Sequence, residues 1–147
     1  MLQFQVKLFS ELSTNELYQL LQLRSEVFVV EQNCVYQDLD GKDDKALHVL
    51  GFHKNNIVAY SRIFDAGDYF KVASIGRVVV SPKLRGHQLG YDLMKSSIQA
   101  VKNQFKTETI KISAQVYLKS FYNNLGFVET SASYLEDGIP HVEMMYN

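Results

Sequence analysis

Arg85, Gly86 and Gly90 lie where an apolar run, Val78-Val79-Val80, gives way to Ser81-Pro82-Lys83-Leu84 and then to a four-residue apolar step at Leu89, Leu93, Val101 and Phe105. That order of residue types reads as a strand, a Pro-marked turn, a glycine-bearing loop and the start of a helix. The chemistry it suits is anion binding. The first amides of a helix have no carbonyl partner, the helix dipole is positive there, and a nearby arginine adds full charge. Glycines let a phosphate approach the amides where a side chain would hold it away. The candidate contact residues are Arg85, Gly86, His87, Gln88, Leu89 and Gly90, led into by Val78, Val79 and Val80. An ordinary strand-to-helix connection is the other reading of this stretch.

A second chemistry-bearing stretch, residues 31–45, is polar and mostly acidic in its second half, with Glu31, Asp38, Asp40 and Asp44 around Gly41. A calcium loop does not fit: the glycine spacing is wrong and no bidentate Glu closes it. No metal site is expected. A solvated loop is the plain reading of the composition. The lone Cys34 has no disulfide partner in the chain and reads as a small packing residue.

The elements that must position these residues follow from pattern. Residues 2–8 alternate apolar and polar, as in a half-buried strand. Ser13 and Glu16 have capping-box spacing at the head of a helix that runs out near residues 31–33. Strands over 46–54 and 57–65 flank an Asn55-Asn56 turn, and a third strand covers 72–80 with Gly76 as a candidate bulge. The long helix spans about 87–105. A strand over 109–114, a short helix over 117–125 stopped by Gly126, and strands over 127–135 and 141–146 close the chain. This order predicts an α/β (α+β) fold: a central mixed, mostly antiparallel sheet with helices on both faces.

The 147 residues are read as one domain over 1–147. They are 46% hydrophobic and 21% charged, with fifteen Lys+Arg against sixteen Asp+Glu. That balance gives no basic footprint for nucleic acid. No apolar run is long enough to cross a bilayer and no leader pattern opens the chain, so no membrane partner and a cytoplasmic location are expected.

Arg85-Gly86-His87-Gln88-Leu89-Gly90 resembles the Q/R-x-x-G-x-G/A signature of the GNAT superfamily of acyl-CoA-dependent N-acyltransferases, with Gln88 where that pattern has Gly. Ser120-Phe121-Tyr122-Asn123-Asn124-Leu125-Gly126-Phe127 resembles the superfamily's F-Y-x-x-x-G-F stretch. The segments 23–41 and 136–141 look like its ElaA-like branch. The predicted element order matches the GNAT layout. The resemblance implies an N-acetyltransferase that moves an acetyl group from acetyl-CoA, a cosubstrate, to a primary amine by direct attack. It implies that the loop holds the CoA pyrophosphate, that amides at Val78 and Val80 pair with the pantetheine arm and thioester oxygen, and that Tyr122, also close to the cofactor, protonates the leaving thiolate. Packing beside Phe121 is the plain alternative for Tyr122.

A lysine-type amine is neutral in only about one molecule in a few thousand at pH 7, so a base is useful. Candidates are Glu31, Asp40, His48 and His141, with His141 and Glu31 the better placed. Arg77 is a candidate for a substrate carboxylate or for a structural ion pair. The segments around Glu31–Asp40 and Gly138–His141 are expected to meet across the thioester and enclose a small-molecule or peptide amine, with Tyr36 as an apolar wall. Their alternative use is to pack together or to form an oligomer contact such as a homodimer. Two other functions stay open: a non-catalytic acyl-CoA sensor or partner-binding module, and an acyl-homoserine-lactone-synthase-like acyltransferase, whose opening resembles Arg24 to Phe28.

Overall fold

A computed structural model of the chain describes residues 2–147. Strand β1 (Gln3–Leu8) leads into helix α1 (Thr14–Arg24), whose capping box is formed: the Glu16 amide donates to Ser13 Oγ at 3.0 Å and the Ser13 amide to Glu16 Oε1 at 2.9 Å. The helix continues through Ser25–Glu31 in wider π-type turns. Strands β2 (Leu47–His53), β3 (Asn56–Phe64) and β4 (Ala73–Val80) follow, then helix α2 (Leu89–Phe105) and strand β5 (Ile110–Gln115). Helix α3 (Lys119–Asn123) and strands β6 (Val128–Glu129), β7 (Tyr134–Glu136) and β8 (Ile139–Tyr146) complete the chain.

The sheet order is β1-β2-β3-β4-β5-β8-β6, with β7 also on β8. All pairs are antiparallel except β4 with β5. That pair is short: among the described residues only Ala73–Ile110 and Ser74–Lys111 are in register. Beyond them the two strands part.

Alternation along the strands sends apolar side chains to two cores. Val49, Ala59, Ile63 and Ile75 meet Leu93, Met94, Ile98 and Val101 of α2. Leu50, Tyr60 and Val79 meet Leu20, Leu23 and Val27 on the other face. Leu20, Leu93, Met94 and Ile110 are fully buried, so truncating any of them to Ala should cost roughly 2–5 kcal/mol.

Several local details differ from the sequence pattern. The β2–β3 turn is Lys54-Asn55, one residue before the expected pair. Both have positive φ (51° and 68°), as a two-residue hairpin of that type requires, and Asn56 already pairs with His53. The β4 bulge falls beside Gly76. Gly76 stays opposite Arg62 while Val79 is opposite Tyr60, and Arg77 carries the left-handed turn at φ 50°. The expected 127–135 strand is two short strands, parted where the Ser131 hydroxyl takes a backbone amide in place of a carbonyl. The Thr130 amide donates to the Glu143 carbonyl and the Glu143 amide to Ser131 Oγ.

The expected solvated loop at 31–45 is instead tied down by charge. Arg24 Nε meets Asp38 at 2.8 Å and its Nη1 meets Asp43 at 2.7 Å. Arg62 bonds Asp40 at 2.5 Å and Asp43 at 2.9 Å. Both arginines are buried. Burial alone would raise the Asp40 and Asp43 carboxyls. Arg62 at Asp40, and Arg24 with Arg62 at Asp43, outweigh it and hold both below the usual carboxylate range.

Candidate active site

Where β4 and β5 separate, a cleft of about 620 Å³ opens through the sheet. Ile75 to Val80 form one wall; Ile112, Ser113 and Gln115 form the other. At one end sits the loop before α2. Gly86 takes φ 88°, and nothing lies within 4 Å of where a Cβ would be. Gln88 takes a left-handed φ of 59° and stands at the helix cap without a capping side-chain bond, so α2 starts at Leu89, not His87. The left-handed region favours glycine, yet this glutamine adopts it. Gly90 is in contact with its neighbours: a Cβ there would meet the Phe121 ring at 3.4 Å.

Arg85 lines this end, and its guanidinium grips Glu31 with Nη1–Oε2 at 2.5 Å and Nη2–Oε1 at 2.7 Å. That hydrogen bond lowers the Glu31 carboxyl from its usual value and raises the Arg85 guanidinium. Tyr122, on α3, lines the cleft. It is 7% exposed, set edge-on to Phe121 and Phe127, and burial pushes its phenol above the ordinary tyrosine value. A phenol so placed stays protonated and can donate.

The far end is made by residues that share one face of the sheet. Arg62, Ser74 and Gly76 come from β3 and β4, Ser113 and Gln115 from β5, and His141 from β8. The 32–37 segment meets the β7–β8 turn here, with Cys34 Sγ 3.4 Å from the Asp137 carbonyl and Gln32 Nε2 3.5 Å from Gln115 Oε1. Tyr36 lines the cleft; its hydroxyl donates to Asp38 Oδ1 at 3.2 Å, and burial together with that carboxylate raises its phenol. Arg77 Nη2 donates to the Asp38 carbonyl at 2.9 Å, and its Nε lies 2.7 Å from Asp38 Oδ1 without hydrogen-bond alignment.

Of the residues singled out from the sequence, Val78, Val79, Val80, Arg85, Gly86, Gln88, Leu89, Gly90, Tyr122, Tyr36, Arg77 and His141 line this one cleft. Glu31, Asp40 and His87 are not on its wall: Glu31 is held by Arg85 and Asp40 by Arg62. His48 is fully buried; Nε2 lies 2.9 Å from the Asp43 carbonyl and Nδ1 2.6 Å from the Tyr60 hydroxyl, and burial lowers its pKa. Cleft residues that the sequence pattern did not single out include Tyr69, Phe70, Ser113, Glu136 and Asp137. Glu136 and Asp137 entered the sequence reading only within the 136–141 stretch, with no role of their own. No cluster of three or more His, Cys, Asp or Glu side chains able to hold a metal occurs among the described residues, and no helix among them is long and apolar enough to cross a membrane.

A sheet parted between its two parallel strands, with a glycine loop opening onto a helix at one end of the gap, is the architecture of an acyl-CoA-dependent acyltransferase of the GNAT type. Residues 10–147 match the family described as Acetyltransferase (GNAT) domain, and the chain belongs to that family. It is 43% identical to Protein ElaA of Escherichia coli K12 over 98% of this chain and 95% of that protein. An acyl-CoA N-acyltransferase from Pseudomonas aeruginosa superposes with a TM-score of 0.94 at 40% identity, covering both chains completely. The acyl-homoserine-lactone synthase LasI shares the fold, with a TM-score of 0.80 at 14% identity over 99% of this chain and 89% of LasI.

Proposed function

We propose that the protein transfers an acetyl group from acetyl-CoA to a primary amine by direct attack. The supporting observation is that one cleft has the anion loop at one end, Tyr122 on its wall and His141 at the other end. The loop suits a pyrophosphate: the space over Gly86 is open, α2 begins three residues later with first-turn amides that lack helical carbonyl partners, and Arg85 supplies a cation. The amides of Val78 and Val80 lie on the parted strand, where donors would stabilise the oxyanion of a thioester under attack. His141 takes a proton from the bound ammonium, and Tyr122 gives one to the departing thiolate. The base role falls to His141 before Glu31, because Arg85 already occupies the Glu31 carboxylate.

Thiol release from acetyl-CoA in the presence of a pooled set of primary amines tests this. Amine-dependent release, with the acetylated amine recovered, is expected. Binding of acetyl-CoA without amine-dependent release would instead favour a sensor, and release only with longer acyl donors would change the donor assignment.

A further inference from the structure

His141 is 7% exposed and its Nδ1 lies 2.7 Å from the Ile139 carbonyl oxygen. A carbonyl only accepts, so Nδ1 carries a proton there, and in the neutral ring, the form that can act as a base, Nε2 presents a lone pair. That lone pair faces Oε2 of Glu136 at 3.6 Å. In that neutral form two acceptors face each other, at a separation too long for a direct hydrogen bond. The pair is braced. Ser113 Oγ donates to Glu136 Oε1 at 3.1 Å and lies 2.5 Å from the Tyr134 hydroxyl, and the Tyr134 ring stacks on His141 at 23°.

The surrounding charges decide what fills the gap. Arg62, Arg77 and Arg85, the arginines on the cleft wall, all rest on protein carboxylates. Lys111, beside Phe70, is paired with Glu143 at 2.7 Å. Glu136 and Asp137 have no Lys or Arg partner among the described residues. The acceptor end therefore offers unpaired negative charge and no open cation.

We propose that Glu136 binds the ammonium of the acceptor, and that acceptors are cationic amines carrying no carboxylate beside the reacting nitrogen. This rests on the amine-transfer reading above. An ammonium has three N–H donors. One goes to Glu136 Oε2 and one to His141 Nε2, filling the gap. Transfer along the second leaves a neutral amine and an imidazolium that Glu136 stabilises. The N–C bond then forms as the C–S bond breaks. Tyr122 protonates the sulfur, a second proton from nitrogen restores Tyr122 through solvent, and one proton leaves from His141. An amino acid would bring its own carboxylate against Glu136 and Asp137.

The test compares tyramine with tyrosine. Turnover is followed by thiol release from acetyl-CoA, and binding by calorimetry on the CoA-loaded protein. The native protein should favour tyramine. Glu136→Gln keeps an acceptor for Ser113 and removes the charge. It should weaken tyramine binding about ten- to hundredfold, the range of a hydrogen bond to a charged group. It should also largely erase the preference over tyrosine, with CoA affinity and Tm unchanged. Asp137→Asn should do markedly less. Preference for tyrosine in the native protein, unchanged discrimination in Glu136→Gln, or an equal effect of Asp137→Asn would overturn the assignment. If no amine is acetylated, the transfer reading fails, and calorimetry still decides the role of Glu136.

Discussion

Arg85 and Glu31 are joined by two hydrogen bonds at the very loop that presents α2 to an anion. A carboxylate thereby stands beside the position a pyrophosphate would take, and it shares the one arginine of the loop. Both side chains are more than 40% exposed, so the pair itself adds little stability. Glu31→Gln should release Arg85 and tighten CoA binding about two- to fivefold, the scale of one charge at a helix N-terminus. Titration calorimetry reads this directly. Weaker binding in the variant would mean that Glu31 aims Arg85 and does not compete for it.

Gln88 offers a test of loop strain. Its φ of 59° costs roughly 1–2 kcal/mol for a residue with a Cβ. Gln88→Gly should leave Tm unchanged or raise it by a few degrees, since the gain in backbone freedom of the unfolded chain offsets part of the relief. CoA affinity should hold or increase. A drop in affinity at equal stability would assign the Gln88 side chain a contact of its own with the ligand.

Tyr122→Phe removes one hydroxyl and keeps the ring between Phe121 and Phe127. A general acid typically contributes 10²–10⁴-fold, so kcat should fall by about that factor with CoA affinity nearly unchanged. Equal kcat in the two proteins across the pH range would take Tyr122 out of the mechanism and leave it as packing.

The buried ion network predicts an acid response. In the folded protein Asp40 and Asp43 titrate below the usual carboxylate value, so the unfolded chain takes up protons first as pH falls. Their stabilisation is complete above about pH 4 and is lost as pH drops through the depressed folded values. His48, lowered by burial, acts with the same sign at higher pH, its contribution shrinking below about pH 6.5. Asp43→Asn strips a partner from Arg24 and from Arg62 and should cost about 3–5 kcal/mol at neutral pH. It should also flatten the acid limb of a Tm-against-pH curve measured by calorimetry. An acid limb of unchanged slope would place its origin elsewhere.

Features written in neighbouring residues were legible in the sequence. The capping box of Ser13 and Glu16, the glycine loop of Gly86 and Gly90, and the stop at Gly126 each depend on a few adjacent positions. The fold class followed from their order. What depends on distant partners was not legible. Arg24 is 14 residues from Asp38 and Arg77 is 39, so nothing local marks the carboxylates of 38–43 as neutralised. The bulge was misplaced by one residue for a related reason. Gly76 is the residue that tolerates positive φ, but the hold of Asp38 on Arg77 accompanies the turn at Arg77. Glu136 had no role of its own legible in the sequence, since only folding brings its carboxylate within 3.6 Å of the His141 ring.

The short register between β4 and β5 has a mechanical consequence. Among the described residues, Ala73–Ile110 and Ser74–Lys111 are the only rungs between two leaves of sheet, β1 to β4 on one side and β5, β8, β6 and β7 on the other. The leaves work as covers on a brief spine. Backbone amides of β4 that point into the gap belong to an interior strand by position, yet they should exchange hydrogen with solvent as readily as those of an outer margin. A long molecule with amide groups of its own, laid between the covers, would supply the absent rungs and slow that exchange on both leaves together.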